Sequence, residues 1–295
     1  MGGAAIVAAV VFWSFGSVLG KLLSFEGFSL VWAICISYLI AGLVLFAYAR
    51  FKKIRHDGFF HDPHFYGLCF GTALLSTFAI YAYTSMTLGT YSFIGALSIP
   101  LAPAAAWLFL KETVSWRTGA AVVAAIAGIV LVSKASTVHP LAMTFALLSV
   151  ACIVAVYLFA RCLRSEFNEL MVAFVFLGAS AILFPIALVL EPFPSFTPYL
   201  AVLVLGLAFF DLVLGDNLRN YALSKAPIRV VSMIRLCAPF IYSIVGFVAF
   251  GEVVSSKVVL GGAVTVFAAG LAISEFNHPH RAKHRHPHFN RHPLK

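Results

Sequence analysis

Apolar runs of about twenty residues recur along this chain, separated by short polar or charged stretches, and their pattern predicts ten helices. The runs lie near 4–23, 30–49, 66–86, 91–110 and 115–133, then near 141–160, 170–190, 199–219, 228–249 and 257–275. A hydrocarbon core about 30 Å thick takes about 20 apolar residues per helix, so each run is long enough to cross a bilayer. None alternates polarity at every second residue, as the strands of a membrane barrel do. A helix satisfies its own backbone in lipid, and each run is therefore assigned to one.

Composition sharpens this picture. The 295 residues are 62% apolar and only 11% Asp, Glu, Lys or Arg, against about 45–50% and about 25% in soluble domains. Too little polar surface remains to clothe a water-soluble globule. The net charge of +9 would point to nucleic acid in a soluble protein, but here the basic residues sit in loops and tail, so no nucleic-acid partner is expected. With the N-terminus inside, sixteen fall on the cytoplasmic side: Arg50 to Arg55, Lys111, Arg117, Arg161, Arg164, Arg219, Lys225, Arg229 and five in the tail. Lys21, Lys134 and Lys257 fall opposite, and Arg235 lies within a span. That bias places both termini in the cytoplasm, in a multi-pass protein of the cytoplasmic (inner) membrane. The first apolar run has no basic residue before it and no small-residue cleavage pattern, so it is expected to be retained as a span.

Cys35, Cys69, Cys152, Cys162 and Cys237 all lie in or beside apolar runs, and none forms a CxxC pair. Neither a disulfide nor a zinc site is expected. The segment 277–295 carries six of the ten histidines and is expected to be a disordered basic tail near anionic lipid. No GxxxxGK[ST] loop occurs, and no cofactor or metal is expected.

The two halves of the chain resemble each other. Pro100 precedes Glu112 by twelve residues, and Pro239 precedes Glu252 by thirteen. Gly119 and Gly128 follow the first glutamate as Gly261 and Gly270 follow the second, and Lys21 ends span one as Arg161 ends span six. The segment from Tyr83 matches that from Tyr221. Each half holds five spans, an odd number, so the second must insert upside down relative to the first. Such inverted repeats build sites that open alternately to each side. The expected organisation is 1–135 and 136–276 as the two repeats, around a central cavity.

Trp13-Ser-Phe-Gly-Ser with Lys21, the run from Tyr83 through Pro100 to Lys111-Glu112, and the Tyr221–Pro239–Glu252 run together resemble the drug/metabolite transporter superfamily, of the EamA type. The resemblance covers nearly all of residues 4–275. It implies ten helices in two inverted halves and the movement of metabolites across the cytoplasmic membrane, not catalysis. It does not identify a substrate.

Charge inside the spans marks the candidate site, because an Arg or Asp at mid-helix costs about 2.5–3.5 kcal/mol on insertion scales unless it meets a partner or water. Span eight carries Asp211, Asp216, Asn217, Arg219 and Asn220, and span nine carries Arg235 four residues before Pro239. Asp216 and Arg235 fall at similar depth on antiparallel helices. One reading is a structural ion pair. The other has Arg235 capture a substrate carboxylate or phosphate through its planar fork of donors, with Asp211 or Asp216 titrating or holding an amine. Trp13, Tyr38, Tyr81, Tyr83 and Tyr157 are expected as an aromatic lining. Glu252, near Lys257, suits a fold-stabilising role.

The expected function is secondary transport of a small anionic or zwitterionic, amino-acid-like metabolite, by export or exchange, with protons as a candidate coupling ion through Asp211. The alternatives are an exporter of lipophilic cationic drugs using Asp211 and Asp216, and a membrane protein that transports nothing.

Overall fold

The computed structural model describes residues 2–54, 58–111, 116–133, 139–163, 168–219 and 235–274, and among these all regular structure is helical. In chain order the helices are α1 (Gly2–Phe25), α2 (Leu30–Phe51), α3 (Pro63–Thr84), α4 (Leu88–Gly95), α5 (Ser98–Leu110) and α6 (Trp116–Ser133). The second half gives α7 (Pro140–Cys162), α8 (Glu169–Leu190), α9 (Pro198–Leu207), α10 (Ala238–Phe250) and α11 (Ser256–Ser274). A short 3₁₀ turn, Gly58–His61, precedes α3, and α9 continues into a π-helical segment, Ala208–Asp216.

Seven helical paths are long and apolar enough to cross a membrane, taking Leu88–Leu110 and Pro198–Arg219 as one each; Gly119–Val132, Ala238–Phe250 and Ser256–Ala268 are apolar but shorter. The ten apolar runs thus all contain helix, but not all are plain rods. Span four breaks at Ala96–Leu97, and span eight relaxes into π geometry. The tail, the ends of the two expected repeats, and Arg55, Glu112, Lys134, Arg164, Asn220, Tyr221, Lys225 and Arg229 lie outside the described residues.

Local chemistry sets the helix starts. Asp62, His139 and Thr197 each accept a backbone N–H from the first turn and are followed by Pro63, Pro140 and Pro198. A side-chain acceptor satisfies an orphan donor, and proline fits the first turn because its missing N–H would be unpaired there anyway. His64 donates to Asp62 from its backbone N–H at 2.9 Å, and this bond holds the Asp62 carboxyl below the usual carboxylate range. The ends of α5 and α10 also match, since Lys111 and Gly251 both take left-handed backbone with φ of 53° and 66°.

The packing follows the duplication seen in the sequence. α2 lies along α8, α6 along α11 and α4 along α10, while α3 lies along α7 and α1 along the α9–π path. Exchanging first-half helices for their second-half equivalents in chain order returns the same set of pairs. The α6–α11 crossing is a backbone contact: a Cβ on Gly128 would lie 2.6 Å from the Gly261 carbonyl oxygen, and one on Gly261 the same distance from that of Gly128. Gly128→Val is expected to force these helices apart and cost about 1–3 kcal/mol, as overpacking does. An unchanged thermal midpoint of the purified variant would refute this account of the crossing.

Candidate functional site

The charged groups of spans eight and nine gather along α1. Its residues serve as a ruler, at 1.5 Å of rise each. At Trp13, the guanidinium carbons of Arg219 and Arg235 both lie 5.8 Å from the indole centroid, within cation–π range. Gly215 makes room for this ring: a Cβ there would stand 2.5 Å from both Cδ1 and Nε1 of Trp13. The indole N–H is in turn a hydrogen-bond partner of Asp216. One turn along, at Gly16, a Cβ would lie 2.6 Å from the Asp211 Cβ and 2.9 Å from its Oδ1. At Gly20, a Cβ would overlap the Tyr83 hydroxyl. Three successive turns of α1 therefore touch Trp13's cationic neighbours, Asp211 and Tyr83 in order.

The ion pair on Asp216 differs from the sequence expectation. Asp216 Oδ1 meets Arg219 Nη1 at 3.0 Å, three residues on along its own helix. Arg235 instead donates from Nη1 to the Tyr157 hydroxyl and stacks 5.7 Å over that ring. A partner on the same helix needs no register between helices, which is why Arg219 holds the carboxylate while Arg235 turns to α7. Arg235 still lies close enough to act electrostatically on Asp216.

The π segment explains why both aspartates face α1. In an α-helix, residues five apart point about 140° away from each other at 3.6 residues per turn. A π turn bonds residue i to i+5 and stacks them more nearly in line. Asp211 and Asp216 are five apart and act on each other electrostatically.

Asp211 opens onto a cavity of about 50 Å³ shared with Ser37 and Tyr38 of α2 and Ser76 and Tyr83 of α3. That volume has room for a few waters. Tyr38 is buried, sharing a hydrogen bond with the Ser76 hydroxyl and donating to the Thr72 carbonyl at 3.3 Å. Tyr38, Tyr83, Tyr91 and Tyr242 all lie within electrostatic range of Asp211. Tyr91, Tyr242 and the two serines carry no signal in the sequence, because Tyr83 and Tyr91 lie on separate helices, α3 and α4, and the others join the group only through folding. Two expected residues stand apart from this group. Tyr81 packs 5.5 Å from the Phe145 ring of α7, since residues two apart on a helix face different ways. Asn217 donates its amide to the Val213 carbonyl, a bond within its own helix.

Glu252 is the other difference. Its partner is Lys21 of α1, 231 residues away in sequence, and not the nearby Lys257. Among the described residues, no group of three His, Cys, Asp or Glu side chains could hold a metal.

The sequence profile described as the EamA-like transporter family matches this chain twice, over residues 1–134 and 140–274. No curated protein sequence matches. Twenty-four chains of known structure match. One, a crystal structure of a protein 15% identical, aligns with a TM-score of 0.63 over 92% of this chain and 96% of that one. At that identity the likeness is one of fold.

Gly215→Val tests how the site is built. The added side chain should push the indole off Asp216 and away from both guanidiniums, changing Trp13 emission while α-helical circular dichroism is retained. Emission identical to the parent would contradict the described packing.

Proposed function

Because this chain belongs to the EamA-like transporter family, whose members move small molecules across membranes, we propose that it is a secondary transporter of small anionic or zwitterionic metabolites, amino-acid-like solutes foremost. The observation that carries this is the pairing of opposite charges along one helix face. Arg219 and Arg235 converge on Trp13, and Asp211 sits against Gly16, three residues further along α1. Three residues span about 4.5 Å of rise, a separation suited to a solute with a carboxylate at one end and an amine at the other. A planar guanidinium binds carboxylate or phosphate by two parallel hydrogen bonds.

In this reading Arg235 is the group that takes the substrate acid. Arg219 already shares its charge with Asp216, whereas the Tyr157 hydroxyl is a neutral partner that a carboxylate can displace. Asp211, beside its small cavity, takes the amine or carries a proton between the two sides. The repeated family match and the packing pattern that survives exchange of the halves support two inverted five-helix repeats working by alternating access, in export or exchange. The Lys and Arg bias supports both termini on the cytoplasmic face of the inner membrane. The tyrosines around Asp211 favour a second reading, a lipophilic cation held by that carboxylate.

Thermal stabilisation by a panel of amino acids, organic acids, phosphorylated metabolites and lipophilic cations separates these. A ligand at about 100 times its Kd adds about 2.7 kcal/mol to the folded state. Acids should stabilise the wild type and lose their effect in Arg235→Ala; stabilisation by cations alone, undiminished in that variant, would replace the acid reading with the drug reading. In proteoliposomes, Asp211→Asn should keep exchange of the stabilising solute but lose acceleration by a pH gradient. Gradient-driven flux at the parental rate would remove Asp211 as the proton carrier.

A further inference from the structure

A second charged cluster lies eight residues beyond Trp13 on α1, about 12 Å along its axis. Lys21 and Glu252 are both 9% exposed at their side chains and form a buried ion pair. Lys21 Nζ also donates to the Met86 carbonyl at 2.9 Å, and it sits 5.5 Å from the Phe250 ring centroid. The second carboxylate oxygen of Glu252 accepts the Leu88 backbone N–H at 2.7 Å, at the start of α4. One carboxylate thus draws together α1, the α3–α4 corner and the α10–α11 connection.

The surroundings are closed by small residues. A Cβ on Gly246 would stand 2.5 Å from Glu252 Oε2, one on Gly20 would overlap Tyr83, and one on Gly89 would overlap the Ser243 hydroxyl. The left-handed Gly251 turns the chain so that Glu252 points back across α10. Lys21 lies in the first stretch matched by the family profile and Glu252 in the second, so the pair joins the two halves. As a mere tether it is a poor choice, because apolar residues of similar volume often hold a buried contact as well or better. A pair that must part and re-form has a different use for charge: wetted, each partner is readily solvated by itself.

We propose that Lys21 and Glu252 form the latch of a gate, closing the substrate path on the side of the membrane opposite Arg219 and parting once in each transport cycle. The proposal rests on the alternating-access reading above. In the sequence, Arg161 stands 140 residues after Lys21, and Glu112, outside the described residues, stands 140 before Glu252. Each half thus carries one basic and one acidic residue at reciprocal places, as two gates that take turns require.

Met86, 6% exposed beneath Lys21, supplies the reporter. In a Met86→Cys variant, labelling by a water-soluble maleimide is measured as the excess over the parent with its five native cysteines. With the latch intact the new thiol should react slowly. Adding Glu252→Gln should raise its rate at least about tenfold, as the closed population falls, while the protein stays monodisperse. Should Glu252→Gln not fold, Glu252→Asp keeps the charge but withdraws it by one methylene from Lys21 and Leu88, and should raise the rate likewise. A folded variant in which the thiol stays as slow as before overturns the latch. The readout needs no ligand, so its failure leaves the Arg235 test standing, and failure of the Arg235 test leaves the latch standing.

Discussion

A charge in the hydrocarbon of a bilayer has to be met by another polar group, and in this protein α1 is where most of that meeting occurs. Trp13 faces two guanidiniums, Gly16 admits an aspartate, Gly20 admits a tyrosine hydroxyl and Lys21 binds a glutamate. Neither glycine could carry a Cβ without displacing its neighbour. The apolar helix is the backbone of a polar assembly because it is narrow where the partners approach.

One departure from regular geometry falls on the same assembly. The π segment turns both aspartates of span eight toward α1, and π turns are frequent at functional sites. The turn at Ala96–Leu97 has a counterpart at Leu236–Cys237, just after Arg235. In both places a proline follows within three residues, within the first turn of the next helix, where its missing N–H leaves no gap. Interrupted helices also release backbone groups near a transport site. Close regular packing joins α6 and α11 through Gly128 and Gly261.

Much of this was legible in the sequence, for physical reasons. Apolar run length located the helices, because the bilayer fixes how much chain a span takes. Buried charge located Asp211, Asp216, Arg219 and Arg235, and all of them meet α1. What stayed hidden depended on contacts between distant segments. Glu252 lies near Lys257 in sequence, whereas folding brings it to Lys21. Asp216 was matched to Arg235 by depth, yet Arg219 on the same helix lay closer. Tyr81 and Tyr83 were grouped by composition although a helix separates them by more than half a turn. The π segment has no signature in Phe-Phe-Asp-Leu-Val-Leu-Gly-Asp.

The position of Trp13 has an optical consequence. The chain holds four tryptophans; Trp107 and Trp116 are 55% and 78% exposed, and Trp32 is buried against Phe184 and Phe193. Trp13 is flanked by two guanidinium groups. Indole emission shifts in an electric field, and here the field comes from two arginines beside the ring. The protein thus carries its own voltmeter: whatever moves Arg219 or Arg235 relative to α1 is written into light, without an added label.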